Sequence, residues 1–163
     1  MKDLRIGDAR APKTQIGPVA SEPQLAINKR YISQAVADGA TLAAGGGEVI
    51  SKTPGHYFAP ALFTDVSPQA AVARDEIFGP IAAVLRVPDY DAALDAANDS
   101  EFGLSAGIIS RDAAKIDHFS QNVEAGMIQV NLPTAGMDFH APFTGRKGSS
   151  YGAPEKGSYC REF

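Results

Sequence analysis

The sequence Arg-Asp-Glu-Ile-Phe-Gly-Pro at residues 74–80 is followed directly by the apolar run at residues 81–87. Gly79 and the proline after it end a short helical stretch, because glycine adopts turn conformations that other residues resist and proline cannot continue a helix. The stretch predicts a rigid corner at the mouth of a sheet, with Glu76 and Phe78 presented on it. Ligands bind at such corners in open α/β sheets. A plain helix-to-strand turn with a solvated carboxylate is the alternative that the spacing leaves open.

Apolar runs and helical patterns alternate after this corner. The runs at residues 81–87, 104–109 and 127–130 are separated by helical patterns at residues 89–98 and from residue 110 onward. Nearly continuous apolar strands between helices are typical of a parallel sheet, which places this chain in the α/β class. We expect three layers, a largely parallel sheet with helices on both faces, and right-handed crossovers. The three runs are predicted to form one sheet and to bury Ile81, Val84, Leu104, Ile108, Ile128 and Val130.

A helix is predicted upstream of the corner, after an irregular loop at residues 1–20. Ser21 and Gln24 have the spacing of a capping box, and Gly39 is a usual stop. The apolar positions of one helix face are Leu25, Tyr31, Ile32, Ala35 and Val36.

Three shorter signals lie between this helix and the corner. The glycine triplet at residues 45–47 predicts a turn, because it lacks the Lys-Ser/Thr pair of a phosphate-binding loop. Pro60 between two short extended pieces favours an edge position. Ser67 before a proline predicts a capping residue at the start of a short helix.

Composition excludes several classes of function. The 163 residues carry a net charge of −4 with no run of like charges, so neither nucleic acid nor an anionic membrane is an expected partner. No apolar run reaches the length of a membrane span, and no signal-peptide core follows the first residues. Cys160 is the single cysteine, which excludes an intrachain disulfide and favours a reducing, cytoplasmic setting.

The residues alone do not supply a complete catalytic set. The histidines at 56, 118 and 140 lack metal-ligand spacing; His118 is expected to be solvated, and His140 is the one candidate to line a site. Cys160 has no histidine near it in sequence and is expected to be an inert thiol. The irregular segment at residues 131–152 is rich in glycine and aromatic residues, and such segments are usually functional or disordered.

The motifs carry more information than the periodicities. Residues 75–80 resemble the Glu-Ile-Phe-Gly-Pro signature of the NAD(P)-dependent aldehyde dehydrogenase superfamily. Further motifs follow in that superfamily's order: Ile-Gly-Asp at 6–8, Ile-Gly-Pro at 16–18, Asn98 with Phe-Gly-Leu-Ser-Ala-Gly at 102–107, Ala-Gly at 125–126 with Val-Asn at 130–131, and Pro-Phe-Thr-Gly-Arg-Lys at 142–147. The resemblance covers essentially the whole chain. At residues 131–136 and 145–152 it is strongest to the 2,5-dioxovalerate (α-ketoglutaric semialdehyde) dehydrogenases.

This resemblance implies roles for individual residues. Glu76 matches the carboxylate that binds the nicotinamide ribose hydroxyls of NAD or NADP, Phe78 matches the aromatic residue beside the nicotinamide, and Gln24 matches a position that also reaches that ribose in some members. The residues that match the loop around a small aldehyde substrate are Leu132, Pro133, Thr134 and Phe143.

The resemblance also implies what the chain lacks. The nucleophilic cysteine, the glutamate base and the Rossmann cofactor domain would lie before the point matched by residue 1, and Cys160 does not match the nucleophile. We expect residues 1–163 to be one partial catalytic domain, with a leading loop (1–20), an α/β core (21–131) and a substrate loop with a C-terminal tail (132–163). Alone it would bind no cofactor tightly and would be inactive. The alternative is a non-catalytic assembly domain that pairs with itself or with a separate N-terminal half.

Overall fold

The computed structural model describes residues 3–136 and 138–157 of the chain. They form two compact units, which are divided between Arg86 and Val87. The first unit contains α1 (Glu22–Ala37), β1 (Thr41–Ala44), β2 (Ala61–Thr64), α2 (Ala71–Arg74) and β3 (Ile81–Ala83). The second contains α3 (Tyr90–Asn98), β4 (Phe102–Gly103), β5 (Ser105–Ile108), α4 (Ala113–Asn122), β6 (Met127–Val130) and β7 (Arg146–Lys147). Among the described residues, no helix combines the length and apolar character needed to cross a membrane.

The sheet of the first unit has the order β1-β2-β3. Strand β2 pairs antiparallel with β1 and parallel with β3, so β2 is the central strand. The edge position predicted from Pro60 is therefore wrong. Pro60 precedes β2, where its missing N–H costs no ladder bond, and Ala61 begins the strand by donating to the carbonyl of Pro80 at 2.8 Å. The apolar core against this sheet comprises Ala35, Ala40, Ala61, Phe63, Val66, Ala70 and Val72.

Helix α1 begins and ends as its sequence predicts. Ser21 is the N-cap and accepts from the backbone N–H of Gln24 at 3.3 Å, while Gly39, at φ +92°, follows the last turn. The second bond of a capping box would run from the Ser21 backbone N–H to the Gln24 side chain. Here the Gln24 side chain donates to Asn28 and to the Ile77 carbonyl instead. Val36 was predicted on the inner face but is exposed, and Asn28 is buried instead.

Helix α2 begins later than predicted. Ser67 accepts from the backbone N–H of Gln69 at 3.3 Å within a turn, and the N-cap of α2 is Ala70, which has no capping side chain. The hydroxyl of Ser67 therefore stabilises the turn before the helix rather than the helix itself.

In the second unit, β5 and β6 form a parallel pair in which Ser105 lies opposite Met127. Asp89 caps α3 and Asp112 caps α4, each through carboxylate bonds to backbone N–H groups of the first turn. The core of this unit comprises Leu94, Phe119, Val123 and Ala125. Helices that alternate with parallel strands confirm the α/β class.

The prediction that the three apolar runs share one sheet is wrong for the described residues. Strand β3 belongs to the sheet of the first unit, whereas β5 and β6 form a pair of their own. Strand β3 ends at Ala83, and Val84, just beyond it, donates its N–H to the Phe63 carbonyl at 2.9 Å while remaining 43% exposed. The other five residues predicted to be buried, Ile81, Leu104, Ile108, Ile128 and Val130, are half-buried.

Candidate functional site

The corner at residues 75–80 is fastened to helix α1 by two side chains. Tyr31 donates its hydroxyl to the Asp75 carboxylate at 2.9 Å, and Gln24 donates from Nε2 to the Ile77 carbonyl at 2.9 Å. The bond to Asp75 raises the pKa of Tyr31, because ionisation would remove the donated proton. Asp75 and Ile77 are thus bonded to α1, and Glu76, which stands between them in sequence, is exposed.

Phe78 is the second exposed residue of the corner. Its side chain is 82% exposed, and its backbone has φ +54°, in the left-handed region. The next residue is packed from behind: a Cβ on Gly79 would lie 2.7 Å from Cγ of Asn28, so the position requires glycine. The Ile81 N–H then donates to the Gly79 carbonyl at 2.8 Å as the chain enters β3.

A groove of about 460 Å³ lies beside this corner within the first unit. Its lining is mostly apolar, with Gln24 as the polar side chain, and it brings Gln24 and Phe78 together. Glu76 precedes Phe78 on the exposed corner and does not line the groove. The lining residues are Ile16, Gly17, Pro18, Val19, Ala20, Gln24, Phe78, Gly79 and Pro80.

The leading loop that forms the other wall of the groove is ordered by hydrogen bonds. Gly7 donates its N–H to the Ile16 carbonyl at 3.1 Å, and Val19 donates its N–H to the backbone carbonyl of His56 at 2.9 Å. Arg10 donates from its side chain and backbone to Asp8, which lowers the pKa of Asp8 to about 2. Since this pKa is depressed, the pair stabilises the loop above pH 3.8 and loses that effect as the pH falls towards 2.

The predicted substrate-loop residues lie in the second unit. Leu132 is 60% exposed, and Pro133 and Thr134 are exposed next to it. The methyl group of Thr134 lies 3.0 Å from the position that a Cβ on Gly107 would occupy, so the loop packs on the glycine of β5.

Phe143 has a more structured environment, which the sequence did not indicate. It is half-buried, and it exchanges two backbone bonds with Glu155, at 2.6 Å and 2.9 Å. The Lys156 ammonium lies 4.5 Å from the centre of the Phe143 ring, a cation–π contact. The tail therefore fixes both the backbone and the ring of Phe143.

Two of the three histidines, His118 and His140, contact neighbours within the second unit. His140 lies 3.0 Å from the Asp138 carboxylate through Nδ1, and its backbone N–H lowers the pKa of Asp138. His118, predicted to be solvated, is exposed but shares a 2.9 Å hydrogen bond with the Tyr90 hydroxyl. Cys160, predicted to be inert, lies outside the described residues.

Comparison with known proteins identifies the class. The chain matches the aldehyde dehydrogenase family over residues 1–163, so it belongs to that family. It is 45% identical over 138 residues to the alpha-ketoglutarate semialdehyde dehydrogenase of Haloferax volcanii, covering 83% of this chain and 29% of that protein. It is 36% identical over 164 residues to the alpha-ketoglutaric semialdehyde dehydrogenase of Bacillus subtilis, covering 99% of this chain and 34% of that protein.

The fold agrees with this family. A crystal structure of Mycobacterium tuberculosis aldehyde dehydrogenase complexed with NAD+ superposes with a TM-score of 0.90 at 32% identity, over 97% of this chain and 32% of that one. The chain thus spans about a third of the length of the relatives that it matches.

Proposed function

We propose that this chain supplies the C-terminal part of the catalytic domain of an NAD(P)-dependent aldehyde dehydrogenase that oxidises 2,5-dioxovalerate to the dicarboxylic acid. The observation that carries the proposal is the groove in which Gln24 and Phe78 meet beside the exposed carboxylate of Glu76. The choice of aldehyde follows the names of the two semialdehyde dehydrogenases to which the chain is similar.

The exposed groups of the corner suit a nicotinamide riboside. The Glu76 carboxylate is an acceptor that can take the hydrogen bonds of two vicinal ribose hydroxyls. The exposed ring of Phe78 offers a flat apolar surface that would limit how far the nicotinamide swings. When bound, NAD+ or NADP+ would accept the hydride that the aldehyde loses on oxidation.

The exposed Leu132-Pro-Thr segment and Phe143 would form part of the wall around the aldehyde. Their environment supports this role, because Phe143 is held by Glu155 and Lys156 while Leu132 remains accessible. Together, the ring of Phe143, which is held in place, and the accessible apolar side chain of Leu132 can exclude water from the reacting carbonyl.

The isolated chain is expected to be inactive. The family's reaction begins with a cysteine thiolate, and the single cysteine here, Cys160, does not match that position. Without a nucleophile, the residues of this chain can bind and orient the reactants but cannot form the covalent intermediate.

Reconstitution tests this proposal. The purified chain should produce no NADH or NADPH from 2,5-dioxovalerate, measured by absorbance. When it is mixed with the portion of the Bacillus subtilis relative that precedes the matched segment, NADH or NADPH should form. A stable complex of the two parts that shows no turnover would contradict the proposal. Turnover by the chain alone that disappears in Cys160→Ala would contradict the expected inactivity.

An assembly domain is the second candidate function, and the exposed apolar side chains favour it. They are Ile50, Phe78, Ile109, Leu132, Phe139 and Tyr151, each at least 60% exposed. Apolar surface of this kind commonly marks interaction sites. We expect the chain to self-associate, with the weight-average mass in sedimentation equilibrium rising with concentration. A constant monomer mass at high concentration would contradict this candidate.

A further inference from the structure

Asn28 occupies an unusual place on helix α1. It lies at helical spacing between Leu25 and Ile32, on the stripe that packs into the protein, and its exposed fraction is 0%. In the part of the chain that the structure describes, it is the only polar residue in the buried class. A polar side chain buried to this extent requires hydrogen-bond partners or carries a free-energy cost.

The hydrogen bonds around Asn28 fix the orientation of two amides. The backbone carbonyl of Ile77 can only accept, so the atom of Gln24 that lies 2.9 Å from it must be Nε2. The second N–H of Nε2 points to Asn28 at 2.9 Å, so the Asn28 atom at that position must be Oδ1. Both donors of Gln24 are thereby used inside the protein, and the polar atom that Gln24 has left is the acceptor Oε1.

The other half of the Asn28 amide has no such use. Its Nδ2 is buried and has no hydrogen-bond partner among the residues that the structure describes. A buried donor without a partner destabilises the folded state, a cost that a leucine of similar volume would not carry. The amide group also lies directly behind Gly79, which lines the groove. Packing alone therefore does not account for an asparagine at this position, whereas the bond to Gln24 does.

We propose that Asn28 is a positioning residue that orients the amide of Gln24, so that Gln24 offers the groove an acceptor and no donor. A ligand that donates hydroxyl hydrogens beside a flat ring, as a riboside does, matches this arrangement. A ligand that presents only acceptors does not. The identification of the ligand as a nicotinamide riboside rests on the proposed function, but the orientation of Gln24 does not.

The test uses the 163-residue chain and two probes with the same charged ring. Nicotinamide riboside carries the hydroxyls, and 1-methylnicotinamide lacks them. Because Glu76 also accepts from ribose hydroxyls under the proposed function, the titrations use ¹⁵N-labelled chain that carries Glu76→Leu throughout. Followed by NMR, this chain should show a preference of about 3- to 10-fold for the riboside, the range expected for one net hydrogen bond. Asn28→Leu should abolish the preference. Asn28→Asp, which keeps the accepting oxygen, should retain it, and Gln34→Leu on the same helix should leave it unchanged.

The side-chain NH₂ signal of Gln24 provides a readout that needs no ligand. In the wild-type chain its hydrogens should exchange slowly with solvent, and in Asn28→Leu they should exchange quickly. Fast exchange in the wild type, or an unchanged riboside preference in folded Asn28→Leu, would overturn the proposal. If Asn28→Leu does not fold, Gln24→Leu must abolish the preference instead, and a retained preference overturns the proposal. If neither probe binds, the exchange rates decide. None of these measurements depends on aldehyde turnover, so failed reconstitution would count against the proposed function alone.

Discussion

Gly45→Ala is expected to lower the free energy of unfolding by roughly 2–5 kcal/mol, because two costs add at this position. Gly45 has φ +69°, a conformation that is unfavourable for residues with a side chain. A Cβ there would also lie 2.7 Å from the carbonyl carbon of Pro60 and even nearer to its oxygen, and backbone cannot move aside as a flexible side chain can. The neighbouring bonds, Gly46 N–H to Ala59 and Ala59 N–H to Gly47, hold the two segments together at 3.0 Å and 2.8 Å.

Urea unfolding followed by far-ultraviolet circular dichroism measures this effect. Gly47→Ala is the matched control two residues away, since a Cβ on Gly47 would meet none of the described atoms within 4 Å. It should change stability by no more than about 0.5 kcal/mol. Equal midpoints for the two variants would show that Gly45 does not pack against Pro60 as described.

Glu76→Gln is expected to weaken cofactor binding about tenfold in the reconstituted enzyme while leaving the melting temperature unchanged. The substitution keeps the volume of the side chain but replaces a charged acceptor with a neutral one, and hydrogen bonds to charged groups contribute about 1.5–3 kcal/mol against about 0.5–1.5 kcal/mol for neutral ones. Glu76 is exposed, and the corner is held by Asp75 and Ile77 on either side of it, so the fold should not depend on its charge.

Cofactor titration and thermal melting of wild type and variant separate the two effects. Glu48→Gln is a suitable control, because Glu48 is also an exposed carboxylate of the first unit and its ion pair is with Lys29, which is not a residue of the corner. A Glu76→Gln enzyme that melts much lower yet binds NAD+ normally would identify Glu76 as a structural residue of the corner and contradict its proposed role.

Local features of the fold could be read from the sequence because their causes are local. Ser21, Asp89 and Asp112 cap their helices with bonds to backbone N–H groups two or three residues away, so both partners stand in one short segment. Gly39 ends α1 for a similar reason, since the left-handed conformation after a helix favours glycine wherever the helix packs.

Strand partners could not be read in the same way. An apolar run indicates that a strand will be covered, but the pairing of β3 with β2 depends on contacts between segments far apart in sequence. Pro60 and Val84 were misjudged for this reason. Pro60 lies just outside a central strand, and Val84 lies just beyond the end of β3, positions that only the register of the sheet determines.

The residues of the candidate site likewise differ in whether a local sequence signal indicated them. The corner with Glu76 and Phe78 was visible as a motif, whereas the bond from Gln24 to Ile77 spans 53 positions and had no local signal. Asn28 did have one: it lies three residues after Leu25 and four before Ile32, so the helical period already placed a polar residue on the apolar stripe. The support of Phe143 by Glu155 and Lys156 had no periodicity from which it could be inferred.

The backbone of Phe78 bears on how this chain divides its free energy between folding and binding. A residue with a side chain in the left-handed region costs about 1–2 kcal/mol relative to glycine, and a ring that is 82% exposed recovers little of that by burial. For the chain by itself, glycine would be the more stable choice at this position. Under the proposed function, a nicotinamide that covers the ring would recover part of this cost on binding.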